Sequence, residues 1–139
     1  MELINVNVGG HLTMIEIQAI QHDHPGIYLV YRINSEDGRL RLIYIGKSVE
    51  VSERVGPEHE HYSDWISWAG GDQTRLRFSH VILLDHEDEL LRCEAAMIRA
   101  FQPPINTQGK DSFSYPDTTV CFSGRQVCCR SSIVALNTI

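Results

Sequence analysis

Two short apolar runs separated by a polar turn limit the folds open to this chain more than any other feature. Residues 26–33 and 39–46 are rich in Ile, Leu, Val and Tyr, and the turn between them reads Asn-Ser-Glu-Asp-Gly. Strand-forming residues on both sides of such a turn are typical of an antiparallel β-hairpin. The sequence therefore predicts an antiparallel hairpin over residues 26–46.

The register of the hairpin decides which side chains meet. A five-residue turn over 34–38 pairs Ile33 with Arg39 and places Tyr28 directly opposite Tyr44 on one face. A single strand tyrosine is more often a core residue, but two facing phenols exceed what packing requires. A phenol has a pKa of about 10, so a nearby cation or metal would be needed to stabilise the phenolate that accepts a proton from water.

The remainder of the chain predicts a small α+β domain. The expected elements are a strand pair in 2–20 around Gly9-Gly10, a helix from Ser48 to about Arg54, a helix from Pro57 to Gly70, a strand over 74–84, and a helix over 86–101 capped by Asp85. Trp65 and Trp68 are at helical spacing and are expected in the core rather than in a platform for base stacking, and residues 105–139 contain short strand-like pieces. We expect a small, mainly antiparallel three-stranded sheet flanked by helices, with short N- and C-terminal extensions.

The net charge of the whole chain argues against a nucleic-acid ligand. The 139 residues carry a net charge of −6, but residues 55–98 alone sum to −6, while 26–54 sum to +1 and 99–139 to +2. Local potential rather than net charge decides whether a phosphate is attracted. The hairpin and the tail therefore remain candidates for phosphate binding.

The sequence also indicates a cellular location. No apolar run approaches the length of a membrane span, and no basic segment followed by an apolar one starts the chain. The four cysteines have neither the spacing of a secreted disulfide framework nor that of a zinc knuckle. We expect a soluble, cytoplasmic protein with no membrane partner.

Glu94 is the most informative single residue. It falls within the apolar stripe of the helix predicted over 86–101, four residues after Leu90 and three before Met97. A carboxylate that faces a sheet is costly unless it pairs with a cation or binds a metal. Two alternatives follow, namely a buried ion pair with an arginine such as Arg54, or a ligand for a hard divalent ion that keeps several waters.

Cations and histidines surround the end of the second predicted strand. Lys47 and Arg54 are either solvated surface residues or a pair that holds a phosphodiester, with Gly46 removing a side chain where a ligand could approach. His59 and His61 are either exposed polar residues or groups that contact phosphate or transfer protons. On a helix they would point apart, so both could not easily bind one metal.

In order along the chain, these residues resemble the GIY-YIG nuclease superfamily over about residues 25–108. The positions that carry the resemblance are Gly26-Ile27-Tyr28, Tyr44-Ile45-Gly46, Lys47, Arg54, Glu94 and Asn106 in "QPPINTQ". The histidine that often follows the family arginine by four positions falls on Glu58 here, with His59 and His61 nearby. The ordered set is far more specific than either three-letter element.

The resemblance implies a DNA endonuclease that uses one Mg²⁺ or Mn²⁺ ion. It implies that Tyr28 or Tyr44 is the general base, assisted by the other phenol or by Lys47. Arg54 would stabilise the transition state, and Glu94 would bind the metal. Asn106 would orient the site through hydrogen bonds, and His59 or His61 would take the place of the family histidine. Residues 25–108 would form the catalytic domain, with 1–24 as an N-terminal extension and 109–139 as a C-terminal extension packed on it. Neither extension is long enough for an independent domain.

DNA is the expected partner, and Lys47, Arg54, Lys110, Arg125 and Arg130 are the candidate contacts to its backbone. Specificity would then come from loops, from a homodimer or from a protein partner, and roles in repair, restriction or mobile elements are all open. Two alternatives remain. One is a module on the same fold that binds nucleic acid or protein without cutting, and the other is a phosphodiesterase acting on small molecules or RNA.

Overall fold

The computed structural model describes residues 2–20 and 25–139, and its main feature is a six-stranded sheet. The strands are β1 (Glu2–Val8), β2 (Gly26–Ile33), β3 (Leu40–Ser48), β4 (Leu76–Leu83), β5 (Thr118–Gly124) and β6 (Ser132–Ala135). Their order is β3-β2-β4-β1-β5-β6, and neighbours are antiparallel except β1 and β5. The predicted α+β class agrees with the structure. The predicted number of three strands was too low, because the N-terminal segment adds β1 and the C-terminal segment adds β5 and β6.

Helices cover the two faces of the sheet. They are α1 (Met14–Gln18), α2 (Val51–Arg54), α3 (Tyr62–Trp68) and α4 (Leu90–Phe101), with 3₁₀ turns at Gln73–Arg75 and Glu87–Glu89. Ala96 and Met97 of α4 are fully buried on one face, whereas Trp65 of α3 is fully buried on the other. Within the described ranges, no helix has the length and apolar character needed to cross a bilayer.

Residues 2–20 do not form the predicted hairpin. β1 lies inside the sheet between β4 and β5, and the chain then enters α1. The Thr13 hydroxyl accepts a hydrogen bond from the Glu16 N–H at 3.3 Å, and the Glu16 carboxylate accepts one from the Thr13 N–H at 2.9 Å. This reciprocal capping starts a helix where the sequence had predicted the second strand of a hairpin around Gly9-Gly10. The predicted boundary between residues 24 and 25 falls on residues 21–24, which lie outside the described ranges.

The β2–β3 hairpin forms as predicted, but its register differs. Ile33 pairs with Leu40 rather than with Arg39, because the turn holds one more residue than expected. A β-bulge between Val30 and Tyr31 displaces the pairing by one further residue. The two displacements add to two residues, so every side chain beyond the bulge keeps its predicted face.

The strand predicted over 74–84 is confirmed as β4, but the helices begin later than expected. Ser48 ends β3 instead of capping α2, and its hydroxyl accepts from the Glu50 N–H at 3.0 Å. Pro57 lies in a turn, and α3 starts only at Tyr62. The segment between α2 and α3 is therefore a loop, and this changes where its histidines point.

The long helix also starts late, at Leu90 rather than at residue 86. His86 has a left-handed backbone with φ of 50°, which prevents a continuous helix from Asp85. The Asp85 carboxylate accepts hydrogen bonds from the backbone and side-chain nitrogens of Asn5, at 2.9 and 2.7 Å. Asp85 therefore fixes β1 to the start of the helical segment instead of capping it.

Candidate active site

The two tyrosines share a face of the hairpin but are not directly opposite. Tyr28 pairs with Gly46, and Tyr44 pairs with Val30, so the phenols are diagonal neighbours with ring centroids 6.1 Å apart. Tyr28 is 1% exposed and Tyr44 is 9% exposed. Of the two phenols, Tyr44 is therefore the one a ligand can reach.

Gly46 is required by the Tyr28 ring. A Cβ at this position would lie 2.2 Å from Cζ of Tyr28 and 2.3 Å from its hydroxyl oxygen, which no rotamer of a fully buried ring can relieve cheaply. The space beside Gly46 is thus filled by the first tyrosine. The interpretation that the glycine clears room for a phosphate is wrong at this point of the strand.

His59 anchors the hydroxyl of Tyr28. Its Nε2 lies 2.7 Å from that oxygen, and the His61 backbone N–H donates to its Nδ1 at 2.9 Å. Burial, with a further contribution from the Arg54 charge, lowers the pKa of His59 to about 4, so the imidazole is neutral near pH 7. Because Nδ1 is an acceptor, the single proton resides on Nε2 and is donated to Tyr28.

The surroundings of both phenols favour their neutral form. Burial is the largest cause that raises the pKa of each phenol, and the charges of Glu60 and Glu94 raise the pKa of Tyr44 further. A cation beside Tyr44 would therefore be needed to stabilise its phenolate.

Arg54 lies beside the phenols, but its guanidinium forms an ion pair with Glu60. Its Nη2 is 2.7 and 2.6 Å from the two carboxylate oxygens of Glu60. This bond lowers the pKa of Glu60 to about 2. The Arg54 charge also lowers the pKa values of Tyr28 and Tyr44. Arg54 thus pairs with Glu60 and not with Glu94, which excludes the first of the two alternatives for Glu94.

Glu94 is half-buried on α4 and lines a cleft of about 450 Å³ together with Tyr44, His61 and Asn106. Burial raises the pKa of its carboxyl, and the charge of Lys47 lowers it. Throughout residues 2–20 and 25–139, no hydrogen bond or ion pair engages this carboxylate. The cleft therefore presents an acid whose lone pairs are available to a ligand.

The donor set suits a hydrated hard cation better than an enclosed one. The described ranges contain no group of three or more His, Cys, Asp or Glu side chains that could surround a metal ion. Mg²⁺ commonly binds through one or two carboxylates, keeps several waters and completes its shell with substrate phosphate. Glu94 alone, at the wall of an open cleft, fits that mode of binding.

Asn106 holds the strand that carries Tyr44. Its side-chain oxygen accepts from the Ile45 N–H, and its side-chain nitrogen donates to the Ile45 carbonyl, both at 2.9 Å. Next to it, the Ile105 N–H donates to the Ile43 carbonyl at 3.0 Å. The loop after α4 is thereby fixed to the open edge of β3, on both sides of Tyr44.

His61 lies at the mouth of the cleft, with its ring centroid 4.9 Å from that of Tyr44 and its Nδ1 3.1 Å from the Asp64 carboxylate. The rings of His59 and His61 are 5.8 Å apart, so they converge on the phenols. The expectation that they point apart assumed a helix from Pro57, whereas both precede α3.

The predicted tail contacts do not all gather at the cleft. Lys110 lies next to it, after Gly109. Arg125 lines a different cleft with Tyr31 and Cys128, and Arg130 closes a tight turn with Val127. These arginines are exposed, but they lie away from the phenols and the Glu94 carboxylate.

The sequence did not predict the ion pair of Glu60 or the exposure of Trp68. Glu60 carried no signal, because a residue in an irregular loop has no periodicity that could show its partner. Trp68 was expected in the core with Trp65, yet Trp68 is 37% exposed while Trp65 is fully buried. A three-residue helical spacing only puts two side chains on roughly one face, and Trp68 is at the end of α3.

Comparison with known proteins gives one consistent relationship. The chain is similar to UvrABC system protein C. It is 32% identical over 92 residues to that protein of Haloarcula marismortui, 31% over 99 residues to that of Moorella thermoacetica, and 33% over 102 residues to that of Trichormus variabilis. These alignments cover 66%, 68% and 71% of this chain, but only 15%, 14% and 15% of the relatives. No family model matches the chain, and no solved structure gives a significant match.

Proposed function

We propose that this chain is a divalent-metal-dependent endonuclease that hydrolyses DNA phosphodiester bonds. The observation that carries the proposal is the half-buried Glu94 carboxylate, which faces the cleft beside Tyr44 without an ion-pair partner among the described residues. Burying an unpaired carboxylate costs free energy, and a bound hydrated metal ion would offset that cost. The resemblance to GIY-YIG nucleases supports the same chemistry.

The relatives support a nuclease or DNA-repair role in particular. Their name places them in the UvrABC system, and the similarity covers about two thirds of this chain. The chain spans about 15% of the length of these relatives, so the activity of the whole relative does not transfer directly. We therefore propose a repair-type nuclease domain.

Tyr44 is the proposed general base. It is the more accessible phenol and lines the cleft with Glu94, whereas Tyr28 is buried and bonded to His59. Burial raises the pKa of Tyr44, so the charge of Arg54 and a metal ion held by Glu94 would be needed to stabilise its phenolate. The phenolate would accept a proton from the attacking water as the new P–O bond forms and the P–O bond to the leaving oxygen breaks.

The nearby cations act on the charge that develops. Arg54 would exchange its hydrogen bond to Glu60 for one to a phosphate oxygen. Lys47, whose charge lowers the pKa of Glu94, would stabilise negative charge that develops on the phosphate nearby. Asn106 would keep Tyr44 in place by fixing the strand on which it lies. A Mg²⁺ or Mn²⁺ ion held by Glu94 would supply Lewis-acid stabilisation of the phosphate and the leaving oxygen.

The decisive experiment is plasmid nicking by the Glu94→Gln variant with added Mg²⁺ or Mn²⁺. Losing a metal contact worth several kcal/mol should reduce the nicking rate about 100-fold or more, at every metal concentration. The matched control is Glu87→Gln, which removes the same charge from an exposed residue just before α4. Equal nicking by both variants would refute the metal role of Glu94.

A second function is favoured by one observation, namely the Arg54–Glu60 pair, which leaves no net cation at that position. A chain of this kind could bind nucleic acid or a protein without cutting. DNA binding with no nicking by the parent protein, in either metal and over a panel of duplex, branched and single-stranded DNA, would favour this second function over the first.

A further inference from the structure

A cationic and aromatic cluster lies on the hairpin away from Tyr28 and Tyr44. Arg32 of β2 and Arg41 of β3 are directly paired across the two strands, and both guanidinium groups lie over the Trp68 ring. The distances from the guanidinium carbons to the ring centroid are 5.9 Å for Arg32 and 4.9 Å for Arg41. We call these three residues the Arg–Trp cluster.

The cluster carries positive charge that nothing in the described ranges neutralises. Like charges directly opposite on neighbouring strands are destabilising, and the attraction to the ring face offsets only part of that cost. No ion pair within residues 2–20 and 25–139 engages either arginine. In addition, Nε of Arg32 is buried and has no hydrogen-bond partner. An anion bound at the exposed Arg41 side chain would neutralise this charge.

Its position relative to the cleft fits a chain of phosphates. Arg41 and Tyr44 are on the same edge strand, and because of the bulge they lie opposite Arg32 and Val30, which are two residues or about 7 Å apart on β2. The helix α3 gives an independent measure, because His61 precedes it beside Tyr44 and Trp68 ends it, seven residues and about 10 Å of helix later. The advance of about 3.4 Å per nucleotide in B-form DNA is measured along the duplex axis, and successive phosphates of one strand are about 7 Å apart because the strand winds around that axis, so this separation is about one to two nucleotides.

We propose that the Arg–Trp cluster binds the backbone phosphates of the DNA strand about one to two nucleotides from the bond cut at Tyr44. This rests on the proposed function, because the strand's direction is set by the cleft. The two guanidinium groups supply the donors, and Trp68 holds them side by side so that little side-chain entropy is lost on binding. The cluster supplies affinity and position along the strand rather than sequence readout.

The test measures DNA binding by fluorescence anisotropy, with a labelled duplex and without added metal, so that it does not depend on cleavage. Arg32→Gln and Arg41→Gln should each weaken binding about 3- to 10-fold at low salt and reduce the slope of log K against log salt by about 1. The matched control is Arg75→Gln, because Arg75 is already paired with Asp72 at 3.7 Å. Its affinity and its slope should stay near those of the parent.

Thermal unfolding checks the fold, and removing one of two opposed arginines should leave the midpoint unchanged or raise it. Affinities and slopes equal to those of Arg75→Gln would overturn the proposal, even if Glu94→Gln had abolished nicking.

Discussion

The ion pair between Arg54 and Glu60 predicts that Glu60 competes with the substrate. In the structure, the guanidinium that would contact the scissile phosphate donates to both Glu60 carboxylate oxygens. A phosphate oxygen must displace this carboxylate, which has a similar geometry and the same sign of charge. Replacing Glu60 by Gln leaves a neutral, weaker acceptor, so DNA should bind more tightly.

The size of the effect follows from the exposure of the pair. The Arg54 side chain is 34% exposed and that of Glu60 is 61% exposed. Exposed pairs contribute about 0.2–1 kcal/mol, so the dissociation constant of Glu60→Gln should fall by about 1.4- to 5-fold. Acidification cannot substitute for the variant, because the pKa of Glu60 is held at about 2.

The assay compares Glu60→Gln with Glu53→Gln and Glu58→Gln, which remove the same charge from exposed neighbours in the same segment. Glu60→Gln should also move the alkaline rise of the nicking rate to lower pH, because the Glu60 charge raises the pKa of Tyr44. If all three variants gained affinity equally, the gain would reflect general charge, and the competition by Glu60 would be refuted.

Three further outcomes are expected. Asn106→Ala should destabilise the fold by about 2–5 kcal/mol in urea denaturation, because two buried backbone groups of β3 lose their partners; a loss below about 0.5 kcal/mol would contradict this reading. Gly46→Ala should displace the Tyr28 ring and abolish nicking, whereas Gly38→Ala, on the same hairpin with no atom within 4 Å, should cost only about 1 kcal/mol of backbone strain. The pKa of His59 is about 4 in the fold against 6.5 ordinarily, so the unfolded chain binds that proton more readily. Stability should therefore be full near pH 7 and fall by about 1–2 kcal/mol by about pH 5, a loss that His59→Gln should lack.

Local patterns were enough to predict the parts of the site that lie within one element. The hairpin, β4 and the position of Glu94 on a helix all follow from periodicity that a short window contains. The shared face of Tyr28 and Tyr44 was predicted for a partly wrong reason. The longer turn and the bulge each shift the pairing by one residue, and only their sum restores the face.

Contacts between distant segments could not be predicted in this way. β1 pairs in parallel with β5, joining Glu2 to Thr118, and no local pattern connects residues so far apart. Likewise, the His59–Tyr28 bond depends on how a loop without regular structure returns over the hairpin. The predictions of three strands and of histidines that point apart were wrong for this one reason.

The hydrogen bonds that Ile105 and Asn106 form with β3 affect how another strand could add to the sheet. The outward carbonyls of Ile43 and Ile45 and the N–H of Ile45 are already bonded within the chain, so this margin of the sheet offers no template for another strand beside Tyr44. β6 is the other edge strand, at the far end of the strand order, and a peptide or second copy could join the sheet there by backbone pairing. The part of the β3 edge beside Tyr44 therefore serves the cleft rather than growth of the sheet.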